Sequence, residues 1–149
     1  MSVLSSRSNS WSSTTSSLNQ VSSNTRFDPY NLQARATTIL TSLANSPHNF
    51  SSVSQHISPS IKFEHGDDDP IYSLQSYLGR FSDISARYPG YHLDVKEACV
   101  DEMQRKVWVR SEVTGLPGGM VKERIDMLTF DDQGILVGSV DYMKIKRRV

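Results

Sequence analysis

Among the side chains of this sequence that can move protons, three are candidates for chemistry: His65, Asp126 and Asp141. An aspartate in an apolar cavity loses the hydration that favours its charge. Its carboxyl then titrates nearer neutrality and can give or take a proton. A histidine beside a carboxylate is oriented by it and charged more readily, which suits a general base. Asp126 lies in Arg124-Ile125-Asp126-Met127-Leu128, and Asp141 in Ser139-Val140-Asp141-Tyr142. His65 ends Ile61-Lys62-Phe63-Glu64-His65, beside the acidic Asp67-Asp68-Asp69. Each has a plainer reading: Asp141 as the ion-pair partner of Arg124, His65 as a strand end in water. His56 could line a cavity mouth, His48 precedes it, and His92 is expected to face outward.

These groups can act together only if strands bring them to one interior. The segments 91–100, 105–114, 120–130 and 135–145 alternate with period 2 and are separated by turn-forming residues, which predicts four antiparallel strands. If the last turn pairs Phe130 with Ile135, then Asp126 opposes Ser139 and Arg124 opposes Asp141. One face then carries Arg124, Asp126, Leu128, Phe130, Ile135, Ser139, Asp141 and Met143. Pairing Thr114 with Met120 adds Trp108, Arg110 and Glu112 to it. The other face holds Val107, Val109, Val113, Val121, Ile125, Met127, Leu136, Val140 and Tyr142. Both faces are too apolar for a sheet with one wet side.

Helices must cover the first face. Leu32, Ala36, Ile39, Leu40 and Leu43 follow a 3.6-residue period after an Asp28-Pro29 start. A short helix over 49–57 carries Phe50, Val53 and Ile57, and Ser58-Pro59 is expected to break it. The strand 61–65 follows. The longest apolar stripe then runs through Ile71, Leu74, Tyr77, Leu78, Phe81, Ile84 and Tyr88 to Pro89-Gly90. Helices followed by a meander make an α+β architecture.

The first 26 residues differ. They are rich in Ser and Thr, and the charged residues of 1–60 are only Arg7, Arg26, Asp28 and Arg35. Such a segment buries too little to offset backbone ordering and reads as a disordered tail ahead of one domain at 27–149. A solvated extension, an organelle transit peptide and a phosphorylation target all fit its composition. Across 149 residues, 16 basic side chains balance 16 acidic ones, which argues against a nucleic-acid binder. The single Cys99 excludes an internal disulfide, and no apolar run is long enough to span a membrane as a helix. No glycine-rich phosphate loop or Gly-x-Ser-x-Gly elbow is present, and Pro70 directly after the acidic triplet spoils a calcium loop. No metal or cofactor is expected.

The element order resembles the nuclear transport factor 2-like superfamily, in its SnoaL-like, polyketide cyclase-like branch, over about 28–145. Leu128-Thr129-Phe130-Asp131-Asp132-Gln133-Gly134-Ile135 followed by Asp141-Tyr142 is similar to that family's closing hairpin, and Glu64-His65-Gly66 to the end of its first strand. The resemblance implies a cone-shaped α+β barrel. Three N-terminal helices would pack in the concave face of a strongly curved, mainly antiparallel sheet. It implies a pocket inside, lined here by Tyr77, Trp108, Arg110, Arg124, Leu128, Phe130 and Ser139, and a homodimer through the convex face. It implies cofactor-free acid–base chemistry by Asp126, His65 and Asp141 on an apolar, carbonyl-bearing small molecule, as in cyclases, dehydratases and isomerases. A non-catalytic ligand-binding or dimeric interaction module, or an adaptor, is the alternative on the same fold. The expected setting is cytoplasmic, with neither nucleic acid nor membrane as partner.

Overall fold

The computed structural model describes residues 31–46 and 49–146. The Ser-rich segment, the Asp28-Pro29 start, His48 and the basic Arg147-Arg148 lie outside them.

Helix α1 spans Leu32–Asn45, and its N-terminus is capped by Asn31, whose side chain accepts from the Ala34 N–H at 3.0 Å. Its buried stripe includes Leu32, Ala36, Ile39, Leu40 and Leu43, as the spacing predicts. Helix α2 is a single turn, Ser51–Ser54, shorter than expected. Strand β1, Ile57–His65, starts earlier than expected and runs through Pro59. The proline does not break it because β1 is an edge strand, where a missing N–H costs no ladder bond. Helix α3, Leu74–Arg87, is capped by Ser73 and buries Tyr77 and Phe81. Strands β2 (His92–Asp101), β3 (Lys106–Thr114), β4 (Lys122–Phe130) and β5 (Leu136–Ile145) complete a sheet of order β1-β5-β4-β3-β2. Only β1 runs parallel to its neighbour, β5; the other pairings are antiparallel.

The helices lie on one face of this sheet and share a core with it. Asn45 fastens α1 to β2: its amide donates to the Leu93 carbonyl at 2.9 Å and accepts from the Leu93 N–H at 2.8 Å. Gly115 brings the start of β2 against the end of β3. It has φ +78°, and a Cβ there would sit 1.7 Å from the Gly90 carbonyl oxygen. That approach sets the position of Tyr91, which reaches the site below.

The register corrects the expected faces in two places. Strands β3 and β4 pair Val113 with Lys122 rather than Thr114 with Met120, because Pro117–Gly119 forms a 3-10 turn inside a longer loop. A slip of one residue turns every side chain over. Val107, Val109, Ser111 and Val113 are therefore buried, while Trp108, Arg110 and Glu112 face outward. Trp108 and Arg110 are thus not lining residues of the interior; Arg110 pairs with Glu97 on the outer surface at 2.9 Å. In the last hairpin Phe130 pairs with Leu136 and Thr129 with Gly138, so Val137 is an extra, bulged residue. The bulge places Leu136 inside in place of Ile135, yet Ser139 and Asp141 still point inward. A second irregularity in β2, between Val95 and Glu97, leaves Cys99 exposed and turns Ala98 towards the core.

Candidate active site

The inward faces of β1, β4 and β5 carry a continuous polar chain. The parallel register sets His65 beside Asp141, two residues beyond Phe63 beside Ser139. His65 Nδ1 meets Asp141 Oδ1 directly. The other Asp141 oxygen accepts from Arg124 Nη2 at 2.9 Å. Arg124 also grips Asp126 in a fork: Nε donates to Oδ2 at 2.9 Å and Nη2 to Oδ1 at 2.8 Å. Its third nitrogen, Nη1, lies 3.4 Å from the Tyr91 hydroxyl, and its guanidinium carbon lies 5.8 Å from the Phe81 ring centre.

Asp126 and Asp141 are themselves cross-strand partners, a pairing that would repel without a cation between them. Arg124 supplies it. Both carboxylates are fully enclosed and Arg124 is 2% exposed, whereas the His65 side chain keeps 25% of its exposure. His65 is therefore the member of the chain that meets the outside. Burial pushes the Asp126 carboxyl above the usual range, and Arg124 draws it partly back. Burial opposes the charge of Arg124, but Asp126 and Asp141 outweigh it and hold its pKa well above the ordinary value.

Of the expected residues, Tyr77, Arg124, Leu128, Phe130 and Ser139 lie in the interior with the three acid–base candidates, though Phe130 sits at the opposite end of its strand from Arg124. Asp141 holds the imidazole, and Asp126 is taken by Arg124. An Arg-x-Asp pair on one strand face is visible in the period-2 pattern. The sequence reading missed it by seeking Arg124's partner only across the strand. Tyr91 and Ser111 carry no sequence signal for the site: Tyr91 is brought in by the Gly90–Gly115 approach, and Ser111 by register as the cross-strand partner of Arg124. His56 stands elsewhere, its carbonyl bonded to the Leu136 N–H at the far end of β5. Burial and the nearby Arg35 charge hold its pKa below the ordinary value. His92 is exposed.

No family model matches the chain. It is 28% identical over 117 residues to otaY of Aspergillus carbonarius, named a probable cyclase, covering 78% of this chain and 92% of that one. A SnoaL-like family protein from Agrobacterium tumefaciens superposes with a TM-score of 0.63 at 11% identity, over 76% of this chain and 98% of the other. The pinacolase BvnE from Penicillium brevicompactum superposes with a TM-score of 0.61 at 18% identity, over 76% and 83%. Helices on one face of a curved, mostly antiparallel sheet whose first strand adds in parallel to its last: the chain has the fold of these SnoaL-like structures.

Proposed function

We propose that this protein is a cofactor-independent acid–base catalyst of the cyclase or isomerase type, acting on an apolar small molecule that carries a carbonyl group. The observation that carries this reading is the His65–Asp141–Arg124 chain, buried at one end and open at the imidazole. An ionised Asp141 facing Nδ1 keeps the imidazole proton there and leaves Nε2 with its lone pair free. Nε2 can then take a proton from carbon next to a carbonyl and return it at a second position. Asp141 stabilises the imidazolium between the two transfers, and Arg124 keeps Asp141 from rotating away. The cyclase relative and the pinacolase of the same fold support this class of chemistry.

The test needs no knowledge of the natural substrate. A panel of aromatic and polycyclic β-diketones in deuterium oxide, with no added cofactor, should show protein-dependent exchange of the protons between the carbonyls, followed by NMR. His65→Gln should reduce that exchange to the solvent rate. Exchange that persists in the variant, or none with any member of the panel in the wild type, moves the ligand-binding alternative ahead.

We also propose a homodimer through the outer sheet face, with a composition different from that expected. Val107, Val109 and Val113 are core residues and do not belong to an interface. The outer face offers Ile125 at 36% exposure and Tyr142 at 57%, next to a groove of about 370 Å³ whose lining includes Cys99, Trp108, Arg110 and Ile125. Leaving such a surface wet costs roughly 25 cal/mol per Å² of apolar area. Wild-type protein should sediment as a dimer at tens of micromolar. Ile125→Asp with Tyr142→Asp should give a folded monomer. A monomeric wild type refutes the interface.

A further inference from the structure

Outside the interior, α3 borders a groove of about 540 Å³ whose lining includes Ile71, Ser76, Gly79, Arg80, Asp83 and Ile84. Arg80 is half-buried, and its guanidinium carbon lies 5.2 Å from the centre of the Phe63 ring. Among the described residues, no carboxylate comes within ion-pair distance of it, and Asp83, one turn further along α3, makes no ion pair with it. The ring therefore holds the cation in place while its fork of N–H donors stays free. Gly79 forms the floor beside it. A glycine in the middle of a helix costs stability relative to alanine. A Cβ at Gly79 would meet nothing within 4 Å, so no neighbour in the described chain needs the missing side chain. The space it leaves belongs to the groove.

The groove joins the acid–base site through β1. After His65 the chain turns at Gly66 and comes back, and Ile71 pairs with Phe63 through two backbone bonds of 2.8 Å. Phe63 precedes His65 by two residues on the same strand face, a rise of about 7 Å. The groove wall, the ring under Arg80 and the half-open imidazole thus share one end of one strand.

We propose that Arg80 is a specificity-determining residue that binds a carboxylate at one end of the substrate while the carbonyl-bearing end reaches His65. This rests on the acid–base reading above. A guanidinium matches a carboxylate with two parallel hydrogen bonds, and a cation without a counter-ion has none to release first. The substrate body would lie between the two, against Ile71 and the bare helix at Gly79. The strand rise and the Arg80–Phe63 separation set the distance from acid to reacting carbon at about 7–12 Å, the span of a fused two-ring system. The substrate class narrows to apolar keto acids of that length.

A matched pair of probes tests the charge: 6-acetyl-2-naphthoic acid and its methyl ester, titrated by calorimetry. Wild-type protein should bind the acid about tenfold or more tightly than the ester, and the gap should shrink as salt is added. Arg80→Gln should erase the preference. Gly79→Leu, which puts a good helix former into open space, should fold and weaken both probes by about tenfold by filling the groove. Arg87→Gln should keep the preference, since Arg87 stands about 10 Å further along the helix. Equal binding of acid and ester by the wild type overturns the proposal. So does a preference that survives Arg80→Gln, affinities untouched by Gly79→Leu, or a wild type that binds neither probe. Deuterium exchange into the acetyl group separates the two readings. If the preference depends on Arg80 but the protein promotes no exchange, the carboxylate site stands and the acid–base reading falls. If His65 promotes exchange equally in acid and ester and no preference exists, only the carboxylate site falls.

Discussion

Arg124→Gln is expected to destabilise the folded protein by about 3–5 kcal/mol at neutral pH, the cost of breaking a buried ion pair from one side. The substitution keeps a polar side chain of reduced length and can still donate hydrogen bonds, but it removes the one charge that stands between two enclosed carboxylates. Asp126 and Asp141 would then face each other across the β4–β5 ladder with no cation between them. The loss depends on pH, and its sign follows from Asp126. Burial already holds that carboxyl above its ordinary value, and Arg124 is the leading influence drawing it down. A carboxyl with a raised folded-state pKa favours the folded state below its unfolded value, and this contribution is lost as pH rises through the folded value. Without Arg124 the shift grows, so the variant should lose most at neutral and alkaline pH and approach the wild type as the pH falls. Urea unfolding of both proteins at several pH values measures the gap directly. Adding Asp126→Asn to Arg124→Gln should restore part of the stability, because the two sites couple. A gap that is independent of pH, or smaller than about 1 kcal/mol, would show that the network carries little of the fold.

How far the sequence reveals this arrangement depends on what each element's neighbours had to decide. The stripes of α1 and α3 follow from side-chain period alone, and both helices fall within a few residues of their expected spans. The inward set Arg124, Asp126, Leu128 and Phe130 is equally legible, being one strand read two residues at a time. Faces that depend on pairing between strands are less so. Whether Trp108 and Arg110 face inward depends on the β3–β4 loop, where a shift of one residue in register reverses the strand's faces and no local preference opposes the wrong choice. Val107-Trp108-Val109 is apolar on both sides of the strand. The Val137 bulge is likewise invisible in a run of apolar residues. The partner of His65 was out of reach for a different reason. Asp141 meets it through a parallel pairing of the first strand with the last, 76 residues apart in the chain, and period 2 says nothing about which strands become neighbours. Once that topology is known, the register alone puts the imidazole on Asp141 and leaves Asp126 to Arg124.

The same geometry makes Asp141→Asn a more searching substitution than Asp126→Asn. Asp141 does two jobs with two oxygens: Oδ1 holds His65 Nδ1 and Oδ2 accepts from Arg124. An asparagine amide has one oxygen and one NH₂. Arg124 can only donate, so it takes the oxygen and leaves the NH₂ pointing at His65 Nδ1. That nitrogen must then accept, and the ring proton moves to Nε2, which can no longer serve as a base. Turnover should fall by about 10²–10⁴-fold, the usual contribution of a positioned acid–base group. Folding should survive, since Arg124 keeps its fork on Asp126. Asp126→Asn leaves the His65–Asp141 contact in place and should cost far less activity. The tautomer can be seen without any substrate, because ¹⁵N shifts of the His65 ring distinguish a protonated Nδ1 from a protonated Nε2. The wild type should show the first and Asp141→Asn the second. A wild-type ring protonated only at Nε2, or an Asp141→Asn protein within about tenfold of wild-type turnover, would remove His65 from the role of base and leave Asp141 as a structural member of the Arg124 network.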